Sequence, residues 1–150
     1  QSGQSYSNAL MQEQNVDIGT YGGMLTSFTM AANYLKNLDY DPGRVNQIIT
    51  TAACPFPSVV AGQCCSLSVN GYESKNVSVA DTAAYVADRI RQGLPVMIGM
   101  KNSDITHFVV AYAYSGELVY MKDPASDHKA ILQNYTNNGY WVNRILKYSY

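Results

Sequence analysis

Two residues in the second half of the chain have the types and spacing for proton-transfer chemistry. His107 opens the apolar run HFVVAYAY, and Asp123 closes the next run in VYMKDPA, 123 − 107 = 16 positions later. Ser115-Gly116 between the runs is a turn signal. If it closes a tight hairpin, both residues reach the same edge of a sheet. A carboxylate placed there accepts the imidazole N–H, fixes its tautomer and stabilises its charged form, which is the orienting half of a nucleophile–base–orienter triad. The pair also has a structural reading. A histidine that starts a strand is commonly just a hydrogen-bonded residue, and Asp-Pro is a common turn dipeptide.

A triad also needs a nucleophile. The chain has three cysteines, Cys54, Cys64 and Cys65, and in GQCCS the last precedes His107 by 107 − 65 = 42 residues. Cys64 or Cys65 with His107 and Asp123 is therefore one candidate set. Against it, CCSLSVNGY reads as loop or strand, with Leu67 and Val69 alternating. An activated thiol is better served by a helix N-terminus, where the dipole and a neighbouring imidazolium hold the thiolate. An odd cysteine count leaves one thiol unpaired within a chain, and Cys54 could close a short loop with either of the others. No paired C-x-x-C is present and there are only two histidines, so a structural zinc site is not expected.

The elements that must position these residues are legible from periodicity. Leu25, Phe28, Ala32 and Leu35 predict a helix over Met24 to Lys36, opened by Gly22 and Gly23. Asp41 as cap, Pro42 at the first turn and Val45, Ile48 and Ile49 predict a second, short helix. A third is expected over Val79 to Gln92, capped by Ser78, with Ala83, Val86, Ala87 and Ile90 as its apolar side and Gly93 ending it. Ala53 to Tyr72 contains Pro55, Pro57, Gly62 and Gly71 without a period, and reads as a long surface loop. LPVMIGM, HFVVAYAY, ELVYMK, KAILQNY and WVNRILKYSY read as strands. Helices followed by an antiparallel sheet is an α+β pattern. At 150 residues one domain is expected, over 9–150, behind a flexible lead-in at 1–8, QSGQSYSN.

Composition narrows the function. Charged residues make up 14%, against about 25% in ordinary globular chains. Net charge is −1 and the 10 Lys and Arg are scattered, which argues against nucleic acid as the main partner. No apolar run approaches the roughly 18–20 residues of a membrane span, and no charged segment followed by an apolar one marks a signal peptide. The low charge and the 13 tyrosines point to a secreted or cell-surface setting.

The segment GMLTSFTMAANYL, with Thr26, Ser27, Met30, Asn33, Tyr34 and Leu35, is similar to the nucleophile segment C-G-P-T-S-x-x-M-x-x-N-Y-L of one peptidase family. GLPVMIGM, HFVVAYAY and MKDPA follow at that family's spacing, so the likeness runs from Gln14 to Ala125. On these motifs the chain resembles the papain-like cysteine peptidases of family thirty-nine, the bacterial bacteriocin leader-peptidase group and its secreted relatives. The resemblance implies a papain-like fold, with N-terminal helices packed on a C-terminal antiparallel β-sheet. It matches His107 to the general base and Asp123 to its orienting residue. Gln14 matches the oxyanion-hole glutamine, with Gln12 competing. The nucleophile column falls on Gly23, which has no side chain. Met24 next to it carries only a thioether, and Thr26 and Ser27 stand where the family already has Thr and Ser. A triad stripped of its nucleophile keeps little beyond oxyanion-hole and binding effects.

The expectation is therefore a cysteine-peptidase-like domain without hydrolytic activity, binding a peptide or protein segment in the groove between helices and sheet. The loop after Ala53 would form one wall, and Tyr21, Tyr112 and Tyr114 would add contact area. Two alternatives stay open. One is an active thiol peptidase using Cys64 or Cys65, an order that also resembles transglutaminase-like enzymes. The other is a structural module of a secreted or cell-surface protein. No metal or organic cofactor is implied.

Overall fold

The computed structural model describes residues 4–6, 8–11, 22–53, 70–75, 78–103, 105–125 and 129–149. Three long helices, α1 (Gly23–Lys36), α2 (Pro42–Thr51) and α3 (Val79–Arg91), and a short one, α4 (Leu132–Thr136), accompany six strands. The strands are β1 (Asn70–Lys75), β2 (Val96–Lys101), β3 (Thr106–Ser115), β4 (Leu118–Lys122), β5 (Lys129–Ile131) and β6 (Trp141–Ser149). They form one sheet in the order β1-β6-β2-β3-β4-β5, antiparallel throughout. The fold is α+β and consistent with a papain-like arrangement.

Period-2 alternation along the central strands sends side chains to two separate cores. Met97 and Phe108 join Leu25, Phe28, Leu35, Val45 and Ile49, so α1 and α2 cover one face. Val96, Ile98, Met100 and Val109 join Ala83, Val86 and Leu132, so α3 and α4 cover the other. Helix α1 has no side-chain cap at Gly22. What holds it is burial: Leu25, Phe28 and Leu35 are enclosed, each stabilising by roughly 1.5–3 kcal/mol. That outweighs the roughly 1 kcal/mol forgone at an uncapped start. Helices α2 and α3 carry the expected caps, with Asp41 accepting from the Arg44 N–H and Ser78 from the Asp81 N–H. Tyr6, within the expected lead-in, packs against the α1–α2 core.

Three local expectations change. KAILQNY is not one strand: it pairs only over Lys129–Ile131 and then turns into α4. Leu132 and Tyr135, three residues apart, share one helical face toward the α3-side core. A second change lies at Asn70 to Tyr72, placed by the sequence at the end of a loop, which forms strand with β6. Residues 54–69 of that loop lie outside the described residues. The hairpin turn, finally, is Gly116-Glu117 rather than Ser115-Gly116, since Ser115 pairs with Leu118. Gly116 takes φ +59 there, the left-handed backbone that a two-residue hairpin turn opening on glycine requires.

The β3–β4 register slips by one between Ala111 and Ala113. Nearer the turn Ala113 faces Tyr120; beyond the bulge Val110 faces Lys122. Tyr112 is the extra residue, and it shifts which side chains share a face. On the second strand pair, Gly99 is required by close approach. A Cβ there would stand 2.9 Å from Phe108 Cε1 and 3.0 Å from Arg144 Cγ. Gly99→Ala is expected to destabilise the fold by roughly 1–3 kcal/mol through overpacking, read as a lower urea midpoint with an unchanged slope.

Candidate functional site

His107 is the second residue of β3, and Asp123 follows the last residue of β4. Because Val110 faces Lys122, Asp123 continues the pairing to the level of Val109, two residues from His107 and on its face. Had the register of Ala113 and Tyr120 run on without the bulge, Asp123 would stand opposite Val110, and the two side chains would point to opposite faces of the sheet. The slip at Tyr112 is what allows the pair to meet. His107 Nε2 donates to Asp123 Oδ2 at 2.9 Å.

The carboxylate is held from three sides. Its Oδ1 accepts the Ala125 N–H at 2.8 Å, an Asx turn that Asp-Pro-Ala is built to make. That bond leaves Oδ2 turned toward the histidine. Tyr135 on α4 donates its hydroxyl to the same Oδ2. Burial raises the cost of ionising Asp123, but the hydrogen bonds from His107, Tyr135 and the Ala125 N–H, with the imidazole's charge, outweigh it and hold the carboxyl below its usual range. For Tyr135, burial and then the bond and charge of Asp123 push the phenol well above its ordinary value, so it stays an O–H donor at neutral pH. Its ring lies 5.7 Å from the His107 ring, tilted by 31°, and is met edge-on by Tyr140 at 5.9 Å. Asp123 thus fixes Nε2 as the protonated nitrogen, leaving Nδ1 as the basic one. This is the geometry that a base and its orienter would need, with a phenol behind the carboxylate.

Gly23 is the first residue of α1, half-buried. Met24 beside it accepts from Arg144 Nη2 through its sulfur at 3.7 Å, and the Arg144 guanidinium lies 4.9 Å from the Phe108 ring. Phe108 adjoins His107, so the start of α1 and His107 lie toward the same end of β3. Thr26 is 5% exposed and Ser27 0%, so neither hydroxyl is open to a substrate. Tyr112 and Tyr114 do not share a wall. Tyr112 lies by Lys122 and Tyr114 by Arg91 of α3, on opposite faces. Gln14, Gln12, Tyr21, Cys54, Cys64 and Cys65 lie outside the described residues. Among the described residues no cluster of three or more His, Cys, Asp or Glu could hold a metal ion, and no helix is long and apolar enough to cross a membrane.

Sequence reasoning missed Tyr135 and Arg144. Tyr135 lay in a segment read as strand, and Arg144 in a strand whose register with β2 no local pattern specifies. A family model described as the Peptidase_C39 like family matches residues 7–144. The chain belongs to this family, and is a cysteine-peptidase-like domain. No curated protein matches the sequence.

Tyr135→Phe is expected to raise the Asp123 pKa toward its ordinary value of about 3.9 and to cost roughly 1–2 kcal/mol of stability, read by carboxyl NMR titration and urea unfolding. An unmoved Asp123 would deny Tyr135 this role. Because the folded-state pKa of Asp123 is depressed, its contribution is present in full above the unfolded value near 3.9 and fades as acidification passes through the lower folded value. The stability difference between the native chain and Asp123→Asn should therefore shrink steadily below about pH 4. A difference independent of pH there would contradict the assignment.

Proposed function

We propose that this domain does not cleave peptides by the thiol route of its family and acts instead as a peptide- or protein-binding module. The observation that carries the reading is the start of α1. The helix opens on Gly23, where the motif resemblance places the nucleophile, and the next side chain is a thioether engaged by Arg144. A family peptidase needs a thiol at that helix start, where backbone N–H groups and the dipole favour the thiolate. Glycine supplies no attacking atom. Loss of a nucleophile leaves the backbone donors of a helix start in place, and an extended peptide segment is a ligand that backbone donors suit.

A second reading has one observation in its favour. His107 and Asp123 keep the bonded geometry of a working base and orienter, which a binding module does not need. Under this reading Cys64 or Cys65 supplies the thiol and the domain is an active peptidase or transglutaminase-like enzyme.

One labelling experiment separates the two. Iodoacetamide at about pH 6 modifies an ordinary thiol, pKa near 8.5, only slowly. On the binding-module reading Cys54, Cys64 and Cys65 stay unmodified or disulfide-bonded, and a peptide library is bound but not cut. In Gly23→Cys the introduced thiol should label at least about tenfold faster than an ordinary one, with Arg144 adding to the positive field, and His107→Ala should slow it. Fast labelling of Cys64 or Cys65 that His107→Ala abolishes would overturn this reading in favour of the thiol enzyme. An ordinary rate at the introduced thiol would remove Gly23 from the site.

A further inference from the structure

We propose that a cavity at the converging C-terminal ends of α1 and α3 is a binding site for a small amphipathic carboxylate, an acid with a single apolar chain. The cavity has a volume of about 400 Å³, within the roughly 300–1,000 Å³ range of small-molecule sites. It lies toward the end of the sheet where Val96 meets Ala111, whereas His107 pairs with Met100 at the far end of the same two strands. It is therefore separate from the base and its orienter.

Its walls are built by the way the two helices stop. Helix α1 ends on Asn37 in the left-handed conformation, φ 52. Asn33 then pins the chain that follows, donating from Nδ2 to the Tyr40 carbonyl at 2.8 Å and accepting the Tyr40 N–H at 3.1 Å. This sets Leu38 as one wall. Helix α3 ends ahead of Gly93, φ +71, and the Leu94 N–H returns to the Arg89 carbonyl at 3.0 Å, which sets Leu94 and Pro95 as the other. The interior is apolar, with Met30, Ile90 and Val110 facing it. Tyr34, part of the Asn-Tyr-Leu motif and yet 66% exposed, stands at its rim with Tyr112.

Charge selects the head group. Among the described residues that line the cavity, Lys122 alone is charged. The bulge at Tyr112 puts that lysine and Tyr112 on one face, the ammonium 5.9 Å from the ring. Lys36 in the last turn of α1 offsets the carbonyl end of that helix dipole. An apolar chain in the cavity with its carboxylate at Lys122 satisfies both halves of the site.

The test uses decanoate, decanol and decyltrimethylammonium as probes, followed by methyl NMR on the whole chain. Decanoate is expected to bind saturably, shifting the methyls of Ile90, Leu94 and Val110, and more tightly than decanol or the cation. Lys122→Met should weaken decanoate about two- to fivefold and leave decanol unchanged. Lys122 is exposed, so this variant keeps the fold. Met30→Trp should abolish binding of both by filling the cavity, and His107→Ala should change neither, which keeps this site distinguishable from the one at the start of α1. Decanoate that binds no tighter than decanol, is insensitive to Lys122→Met, or shifts methyls elsewhere overturns the proposal.

Discussion

A hairpin has only two faces, and a shift of one residue exchanges them. In this protein the bulge at Tyr112 makes that shift between the turn and the far end of β3. Nearer the turn, β4 is in register with Ala113 to Ser115; beyond the bulge it is in register with Val110 and Ala111. His107 and Asp123 share a face only under the second register. The same slip places Tyr112 beside Lys122 on the opposite face. A single extra residue thus builds two features on the two sides of the sheet.

The pair His107 and Asp123 is held by more than one bond. The Asx turn at Asp123 is local and would form with little help from the fold. The phenol of Tyr135 is not local. It arrives because α4 buries Leu132 in the α3-side core, which fixes the direction in which Tyr135 points. Tyr140 then closes against it edge-on. Desolvation alone would push Asp123 toward its neutral form, and the donors around it reverse that outcome. An ionised carboxylate held in place is what an imidazole acting as a base would require.

The start of α1 is built differently. No side chain caps it, and its position is set by the apolar contacts of Leu25 and Phe28 with the sheet. Arg144 reaches it from β6 across the close approach that Gly99 permits. The positive end of a helix dipole and a guanidinium together favour an anion at this point. The first residue of the helix there is Gly23, which carries no side chain.

Much of this molecule was written in short-range signals. The helix periods, the Asp41 and Ser78 caps and the strand runs depend on neighbours within a few residues, so the α+β class and the positions of the three long helices and of β2, β3, β4 and β6 followed from the sequence. The pairing of His107 with Asp123 was legible because a hairpin links them. Tertiary structure alone decided the bulge that brings that pair to one face, since nothing in VVAYAYS marks where a register slips. It also decided the helix at Leu132–Thr136, where a short apolar run serves strand and helix equally well until Leu132 finds its core. Tyr135 and Arg144 join the site from elements distant in the chain. Their roles rest on sheet order and face, which are fixed by packing between segments and leave no trace in the local pattern.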